Sequence, residues 1–214
     1  MLPSTTVVFA LAAAAAAPAA GRPSVQLVIR DETRPPLSAA IVRDTLKEVR
    51  AVWHAYLDID LAAAPGLGAP ITDDVLTLVI SDRRPGEAVI DSLGWIDFVD
   101  GEPSRTINVS RRAAAALGGR TVLADRPLGE LPTAIRNQFV ARALGRAAAH
   151  EIGHYLLASK AHEATGLMRA QFATGELMER SPRNFQLTPT ELGRLEERFS
   201  SYRLARRGLE PPVQ

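Results

Sequence analysis

The order of apolar segments along this 214-residue chain predicts an α+β fold. Short runs rich in Val, Ile and Thr, which are typical of strands, are concentrated in the first half. One segment with helical spacing of apolar residues interrupts them, and two more helical segments occupy the second half. We therefore expect a twisted mixed sheet packed on an N-terminal helix, a long central helix and a C-terminal helix.

The N-terminal half begins with a strand at residues 25–30, after which Pro35 and Pro36 interrupt the chain. Ser38 is in the position of an N-cap for a helix that continues to about Leu57. One face of that helix is apolar: Ile41, Val42, Leu46, Val49, Trp53 and Tyr56. After a loop at residues 65–70, the near-continuous apolar run at residues 75–80 predicts a buried strand.

Two further strands are predicted at residues 94–99 and 106–110, joined by a turn at residues 100–103. Residues 111–126 do not favour one structure, although residues 121–123 are compatible with a short strand. The apolar segment from about Pro132 to Leu157 predicts the central helix. Thr188 and Glu191 have the spacing of a capping box, and they predict a last helix that extends to about Arg207.

Residues 150–154 read His-Glu-Ile-Gly-His and lie within the central helix. Residues i and i+4 of a helix are about 40° apart around its axis, so His150 and His154 share a face and both imidazoles can reach one ion. Glu151 is rotated by about 100° from His150, where it can contact a water molecule without being a ligand. The residues on both sides of the motif are apolar, and burying polar groups is costly unless they are paired or bound to a metal. A metal ion accounts for His150, Glu151 and His154 together. The motif therefore predicts a catalytic zinc with a general base beside it.

A catalytic zinc usually takes three protein ligands and leaves a fourth position open. His162 follows His154 by eight residues, and in a continuous helix it would lie about 12 Å farther along the axis. The helix must therefore end and the chain must fold back, and we expect the bend at residues 159–160. His54, the only other histidine, has no partner at ligand spacing and is expected at the surface.

The His-Glu-x-x-His motif, the later His162 and the Gly-Leu-Met-Arg segment at residues 166–169 resemble the metzincin metallopeptidases. Their signature is H-E-x-x-H-x-x-G-x-x-H followed by a Met-turn. The resemblance implies a metzincin-like or zincin-like fold, His162 as the third zinc ligand and Met168 as the packing floor beneath the metal. It also implies that an edge strand, here residues 94–99 or 106–110, binds an extended substrate by strand addition.

The residues around the motif resemble even more closely a group of uncharacterised bacterial proteins with short metzincin-like domains. Those proteins carry A-H-E-[LI]-G-H-x-L-L, then A-H, G-[IL]-M-R-A and later F-T-P-E, and this chain resembles them over about residues 130–205. Leu157 occupies the place of the metzincin glycine, and the third His is displaced by two residues. Either a non-glycine residue adopts an unusual backbone conformation, or the helix runs slightly longer before it bends. No Tyr follows Met168 to steady an oxyanion; Arg169 lies nearby, and the role has no assigned residue.

The leading prediction is a zinc metalloendopeptidase that acts on peptide or protein substrates, with Zn²⁺ held by His150, His154 and His162 and with Glu151 as general base. A first alternative keeps the metal but closes the site with a glutamate, as in gluzincin-type enzymes. Glu176 or Glu179 would take that place, and Glu163 is less favoured. A second alternative is a non-catalytic secreted zinc-binding domain. The intact Glu151 argues against it, because a structural zinc has no use for that carboxylate.

Composition limits the remaining function classes. A net charge of +1 gives no indication of nucleic acid as a partner, and the absence of cysteine excludes thiolate ligands and disulfides. An apolar, alanine-rich run followed by Ala-Pro-Ala predicts a signal peptide at residues 1–19, although no Lys or Arg precedes the run. The run is too short for a stable membrane span. We therefore expect a single domain at residues 20–214, in the periplasm or outside the cell.

Overall fold

A computed structural model describes residues 22–62, 75–83, 92–123 and 125–207, with side chains up to residue 200. The predicted signal peptide and the loop at residues 65–70 lie outside the described residues. Within them the chain is an α+β protein with a five-stranded mixed sheet and five α-helices, so the predicted fold class is confirmed at that level. No helix in these ranges is long and apolar enough to cross a membrane.

The five strands of the sheet are β1 (Ser24–Asp31), β2 (Asp58–Leu61), β3 (Val75–Ser81), β4 (Gly94–Val99) and β5 (Glu102–Ser110). Their order is β2-β1-β3-β5-β4, and every pairing is parallel except β4 with β5. Strand β3 is buried almost throughout, as its continuous apolar run predicts.

Strand β4 lies at the edge of this sheet, so of the two candidates for the edge, residues 94–99 take that place. The alternative, residues 106–110, is wrong because β5 is paired with β3 on one side and β4 on the other. The turn between β4 and β5 is also shorter than predicted. It consists of Asp100 and Gly101, both with positive φ, and the pairing resumes at Glu102.

The helices are α1 (Ala39–Trp53), α2 (Arg111–Gly119), α3 (Thr133–Leu157), α4 (Thr174–Met178) and α5 (Pro189–Arg207), and the short strands β6 (Val122–Leu123) and β7 (Arg126–Pro127) form a separate hairpin. Two predicted caps are present. The Ser38 side chain accepts a hydrogen bond from the Ile41 N–H. Thr188 and Glu191 bond each other's backbone N–H groups at the start of α5. Helices α2 and α4 were not predicted.

Helix α1 is shorter than predicted, ending at Trp53 instead of Leu57. The N–H groups of Tyr56 and Leu57 both bond the carbonyl of Trp53, which closes a turn, and β2 begins directly afterwards at Asp58. Leu57 stays buried in the core although it is not helical. An apolar residue at this position fits a buried site, but its apolar character does not decide between a helix and a buried turn.

Helices α1 and α3 pack closely against each other, and this contact holds α3 in place. A Cβ added to Gly145 would lie 2.6 Å from the Glu48 Cβ and 2.7 Å from the Thr45 carbonyl oxygen, so only glycine permits this approach. The Trp53 indole donates a hydrogen bond to the Ala149 carbonyl at 3.2 Å. These contacts fix the position of α3 immediately before the His-Glu-x-x-His motif.

Candidate metal centre

Three imidazoles converge at one end of α3. The ring centroids of His150 and His154 are 4.7 Å apart, and His162 lies 5.3 Å from the first and 4.9 Å from the second. One nitrogen from each residue lies within 4.8 Å of the other two. His150 and His154 are buried, and His162 is exposed. These three residues can therefore hold a metal ion.

Backbone carbonyls set the tautomers of the two helical histidines. The Nδ1 of His150 lies 2.7 Å from the Leu167 carbonyl oxygen, and the Nδ1 of His154 lies 2.6 Å from that of Ser159. A carbonyl oxygen only accepts, so both Nδ1 atoms carry the hydrogen and both Nε2 atoms carry a lone pair. A ligating histidine ordinarily makes this second hydrogen bond to a carbonyl or a carboxylate.

The two Nε2 lone pairs face each other at 3.0 Å, which is unfavourable unless a positive charge lies between them. With Zn–N bonds of about 2.0–2.1 Å, two ligands of a tetrahedral ion are about 3.3 Å apart, so a small outward shift of the rings would admit the ion. The donor set therefore fits a divalent ion that accepts neutral imidazole, a class that includes zinc, copper and nickel.

The surroundings also keep the two helical histidines neutral. Burial, and next the charge of His154, lowers the pKa of His150 to about 4. Burial likewise lowers the pKa of His154, against the effect of its hydrogen bond to Ser159. Neutral imidazoles are the form that binds a metal, so His150 and His154 are in their ligating state at neutral pH.

The bend before His162 occurs at Ala158, one residue earlier than predicted. Ala158 has φ 46° and ψ 44°, the left-handed conformation that usually requires glycine at a helix end. The Ser159 N–H bonds the His154 carbonyl at 3.2 Å. Both consequences expected from the missing glycine are present, because the helix includes Leu157 and the next, non-glycine residue adopts the unusual conformation.

Beyond the bend, a short bridge holds His162 close to the helix. The Glu163 N–H bonds the Met168 carbonyl at 2.9 Å, which closes the intervening loop and pairs Glu163 with Arg169. Gly166 within this loop has φ 80°, and a Cβ there would lie 2.4 Å from the Gln186 carbonyl oxygen. The loop therefore needs glycine at position 166 both for its conformation and for its packing.

Glu151 is a buried carboxyl group that lines the same cleft as the three histidines. Its side chain is close to the start of β4, where a Cβ added to Gly94 would lie 3.0 Å from the Glu151 Cγ and 3.2 Å from its Oε1. Burial raises the pKa of Glu151 to about 8. An edge strand that begins with glycine thus allows a carboxyl group with a strongly altered proton affinity to lie at the site.

Met168 packs closely against the backbone of α3 at Gly153. It is 2% exposed, and its Sδ would be 2.2 Å from a Cβ added to Gly153. Gly153 lies between His150 and His154 in the sequence, so the methionine contacts the helix in the turn that carries both histidines. The role of this glycine was not predicted, although an isolated glycine within a helical pattern is itself a signal of close packing.

Two stacked aromatic rings between two arginines form one side of the site, and the sequence did not predict this arrangement. Arg169 lies 4.5 Å from the centre of the Phe172 ring, Phe172 stacks on Phe185 at 4.6 Å, and Phe185 lies 4.6 Å below Arg146. The Phe172 ring also meets His150 edge-on at 6.0 Å. An arginine within an alanine-rich helical segment, as at position 146, was the available signal for a buried ion pair.

The histidines open into a cleft of about 860 Å³ between α3 and β4. The edge strand contributes residues 94–98 to its wall, α2 contributes Ala113, Ala116 and Leu117, and the segment after Met168 contributes the opposite side. Among the described residues no strand pairs with the outer side of β4. The cleft therefore lies along a sheet edge that retains unpaired backbone groups.

The glutamates proposed as alternative ligands lie elsewhere. One oxygen of Glu176 accepts a hydrogen bond from Arg169 at 2.7 Å and the other from the Ala173 N–H at 2.8 Å. Glu179 is exposed and lies 3.4 Å from the amide of Asn184. Among the described residues the group that can hold a metal comprises only the three histidines, so neither glutamate joins it. His54 is exposed and apart from the site, as predicted.

No protein-family model matches the chain, and no curated protein matches it.

Proposed function

We propose that this chain is a zinc-dependent metallopeptidase that hydrolyses peptide bonds, as its resemblance to metzincins implies. The observation that carries the proposal is that the Nε2 atoms of His150 and His154 face each other at 3.0 Å. Backbone carbonyls orient both rings, and the His162 imidazole completes the group. The buried carboxyl group of Glu151 lines the same cleft. A purely structural site would not need that carboxylate. A bound zinc ion supplies Lewis acidity toward a peptide carbonyl and lowers the pKa of a water molecule.

In this proposal Glu151 is the residue that moves the proton. A carboxylate whose pKa is near the operating pH is an efficient base, and its conjugate acid is an efficient donor. Burial brings the pKa of Glu151 into this range, and the positive charge of a metal ion bound by the histidines would lower that pKa again. In the proposed reaction the carboxylate takes the proton lost by the attacking water and gives it to the leaving amine nitrogen.

The edge strand β4 is the proposed binding surface for the substrate backbone. An extended peptide can pair with a free sheet edge through main-chain hydrogen bonds, which hold it without reading its side chains. Because Gly94 lies against Glu151, a peptide on this edge passes beside the carboxylate. Because a signal peptide is predicted, we also propose that the protein acts in the periplasm or outside the cell.

The test compares metal content and peptidase activity in purified variants. We expect Glu151→Gln to retain one zinc per chain and to lose hydrolysis of a mixed peptide library, because only the proton acceptor is removed. We expect His162→Ala to lose most of its zinc, whereas Glu176→Ala and the surface control His54→Ala retain it. Full activity in Glu151→Gln would refute the mechanism, and full zinc content in His162→Ala would refute the ligand set.

A further inference from the structure

The cleft is lined by more cations than carboxylates. The charged side chains that line it are Arg120, Arg146, Lys160, Arg169, Asp97 and Glu151. The whole chain, in contrast, is almost balanced at +1. A bound divalent ion would add positive charge to this cleft, and added positive charge favours an anionic ligand.

Two of the arginines are already neutralised by the protein. Arg146 is 1% exposed, lies 2.8 Å from the Glu48 carboxylate and donates to the carbonyls of Glu176 and Glu179. Arg169 is paired with the Glu176 carboxylate at 2.7 Å. Their guanidinium groups therefore form part of the wall of the cleft, and the carboxylates of Glu48 and Glu176 balance their charge.

Lys160 differs from these arginines. Its side chain is exposed at the mouth of the cleft, and its Nζ lies 5.0 Å from the centre of the Phe98 ring. Among the described residues no carboxylate pairs with it. An ammonium has three N–H donors, and contact with one ring face leaves donors for a second partner.

The backbone holds Lys160 at this position. The carbonyl of the preceding Ser159 accepts the hydrogen bond from His154 Nδ1, and the Ser159 Oγ accepts one from the Ala161 N–H at 3.1 Å. Phe98 belongs to the edge strand on the other side of the cleft. The ammonium therefore lies between the histidine segment and the strand on which a peptide would lie.

We propose that the cleft selects peptides with an acidic side chain close to the scissile bond, and that Lys160 is the specificity-determining residue. This proposal rests on the proposed peptidase function of the same cleft. A substrate carboxylate reaching Lys160 would gain a charged hydrogen bond while the ammonium keeps its contact with the Phe98 ring. A neutral or basic side chain gains no such bond.

Peptide affinity tests the proposal without turnover. Zinc-loaded Glu151→Gln protein is titrated with two fluorescent peptides that differ only by Glu or Gln near the expected scissile bond, which are nearly equal in size. We expect the Glu peptide to bind about fivefold more tightly, a ratio typical of a partly exposed ion pair. Adding Lys160→Met should reduce the ratio to about one, whereas Lys47→Met, which removes the only other lysine from the surface of α1, should leave it unchanged.

The presence of only two lysines allows a second readout. Reductive methylation with ¹³C-formaldehyde keeps the charge and gives one side-chain NMR signal for each lysine, assigned with the two methionine variants. The Glu peptide should shift the Lys160 signal and leave that of Lys47 in place. Equal binding of the Glu and Gln peptides, no measurable binding of either, or an unmoved Lys160 signal would overturn the proposal.

The two proposals fail separately. If the wild-type protein hydrolyses neutral peptides and shows no preference for Glu, the selectivity is refuted and the peptidase function stands. If the Glu peptide binds selectively but zinc-loaded wild-type protein cleaves no peptide, the peptidase function is refuted and selective binding at Lys160 stands. Thermal unfolding of Lys160→Met should match that of Lys47→Met, since both side chains are exposed.

Discussion

Substitution of Gly153 by alanine would test whether Met168 forms the floor of the metal site. The added Cβ would lie 2.2 Å from the Met168 Sδ and 3.1 Å from its Cε, with the Trp53 ring at 3.7 Å. Ordinary contacts of this kind are about 3.5–4.0 Å, so the sulfur has to move by more than about 1 Å. Met168 is 2% exposed in a close-packed core and has little space to move into.

Two opposing effects determine the size of the change. Overpacking of a core costs about 1–3 kcal/mol, and an overlap this large belongs at the upper end of that range. Alanine is favoured over glycine within a helix by about 0.8–1.0 kcal/mol. We therefore expect Gly153→Ala to lower the free energy of unfolding by about 2 kcal/mol. Gly193→Ala in α5 is the matched control, because nothing lies within 4 Å of its added Cβ, and it should raise stability by about 1 kcal/mol.

Urea unfolding followed by circular dichroism, with a chelator present, measures these differences. In a Met168→Ala background the space below Gly153 is vacated, and Gly153→Ala should then become stabilising by about 1 kcal/mol, a coupling of about 3 kcal/mol. Zinc affinity should fall in the single variant Gly153→Ala, because a displaced Met168 would also move the neighbouring Leu167, whose carbonyl orients His150. If Gly153→Ala stabilises the native background as much as Gly193→Ala does, the reasoning about Met168 is refuted.

Three further changes test other parts of the site. Ala158→Gly should raise stability by about 0.5–1 kcal/mol in the same unfolding assay, because it relieves a left-handed alanine; an unchanged or lower value contradicts strain at the bend. In metal-free protein, the pKa of Glu151 is raised from 4.5 to about 8 in the folded state, so its stabilising effect is complete below pH 4.5 and is lost as pH rises through 8. Between pH 4.5 and 6.5 the lowered pKa of His150 offsets this trend, so stability should fall by about 2 kcal/mol from pH 6.5 to 8 and stay level in Glu151→Gln; a level wild-type profile would count against a buried carboxyl group. Arg146→Met should cost about 3–5 kcal/mol because it leaves the Glu48 carboxylate unpaired, and adding Glu48→Met should recover most of the loss; equal losses in both proteins would show that the ion pair is not the cause.

Most regular elements could be predicted from the sequence because local patterns determine them. Helix α3 was expected at residues 132–157 and is found at Thr133–Leu157, and the capping box at Thr188 starts α5 as its spacing predicts. The missed elements have weak local patterns. Helix α2 contains four alanines and two glycines in nine residues, and α4 has only five residues, so neither shows an apolar stripe long enough to recognise.

By itself, the sequence determined that His150 and His154 share one face of a helix with Glu151 beside them, since helical geometry relates residues four apart in any context. The tertiary structure decided the rest of the site. It placed β4 at the sheet edge, brought His162 to the other two histidines through a left-handed Ala158, and turned Glu176 away toward Arg169. It also set the tautomers and the pKa of Glu151. Those properties depend on burial and on contacts between segments far apart in the chain, which no local pattern encodes.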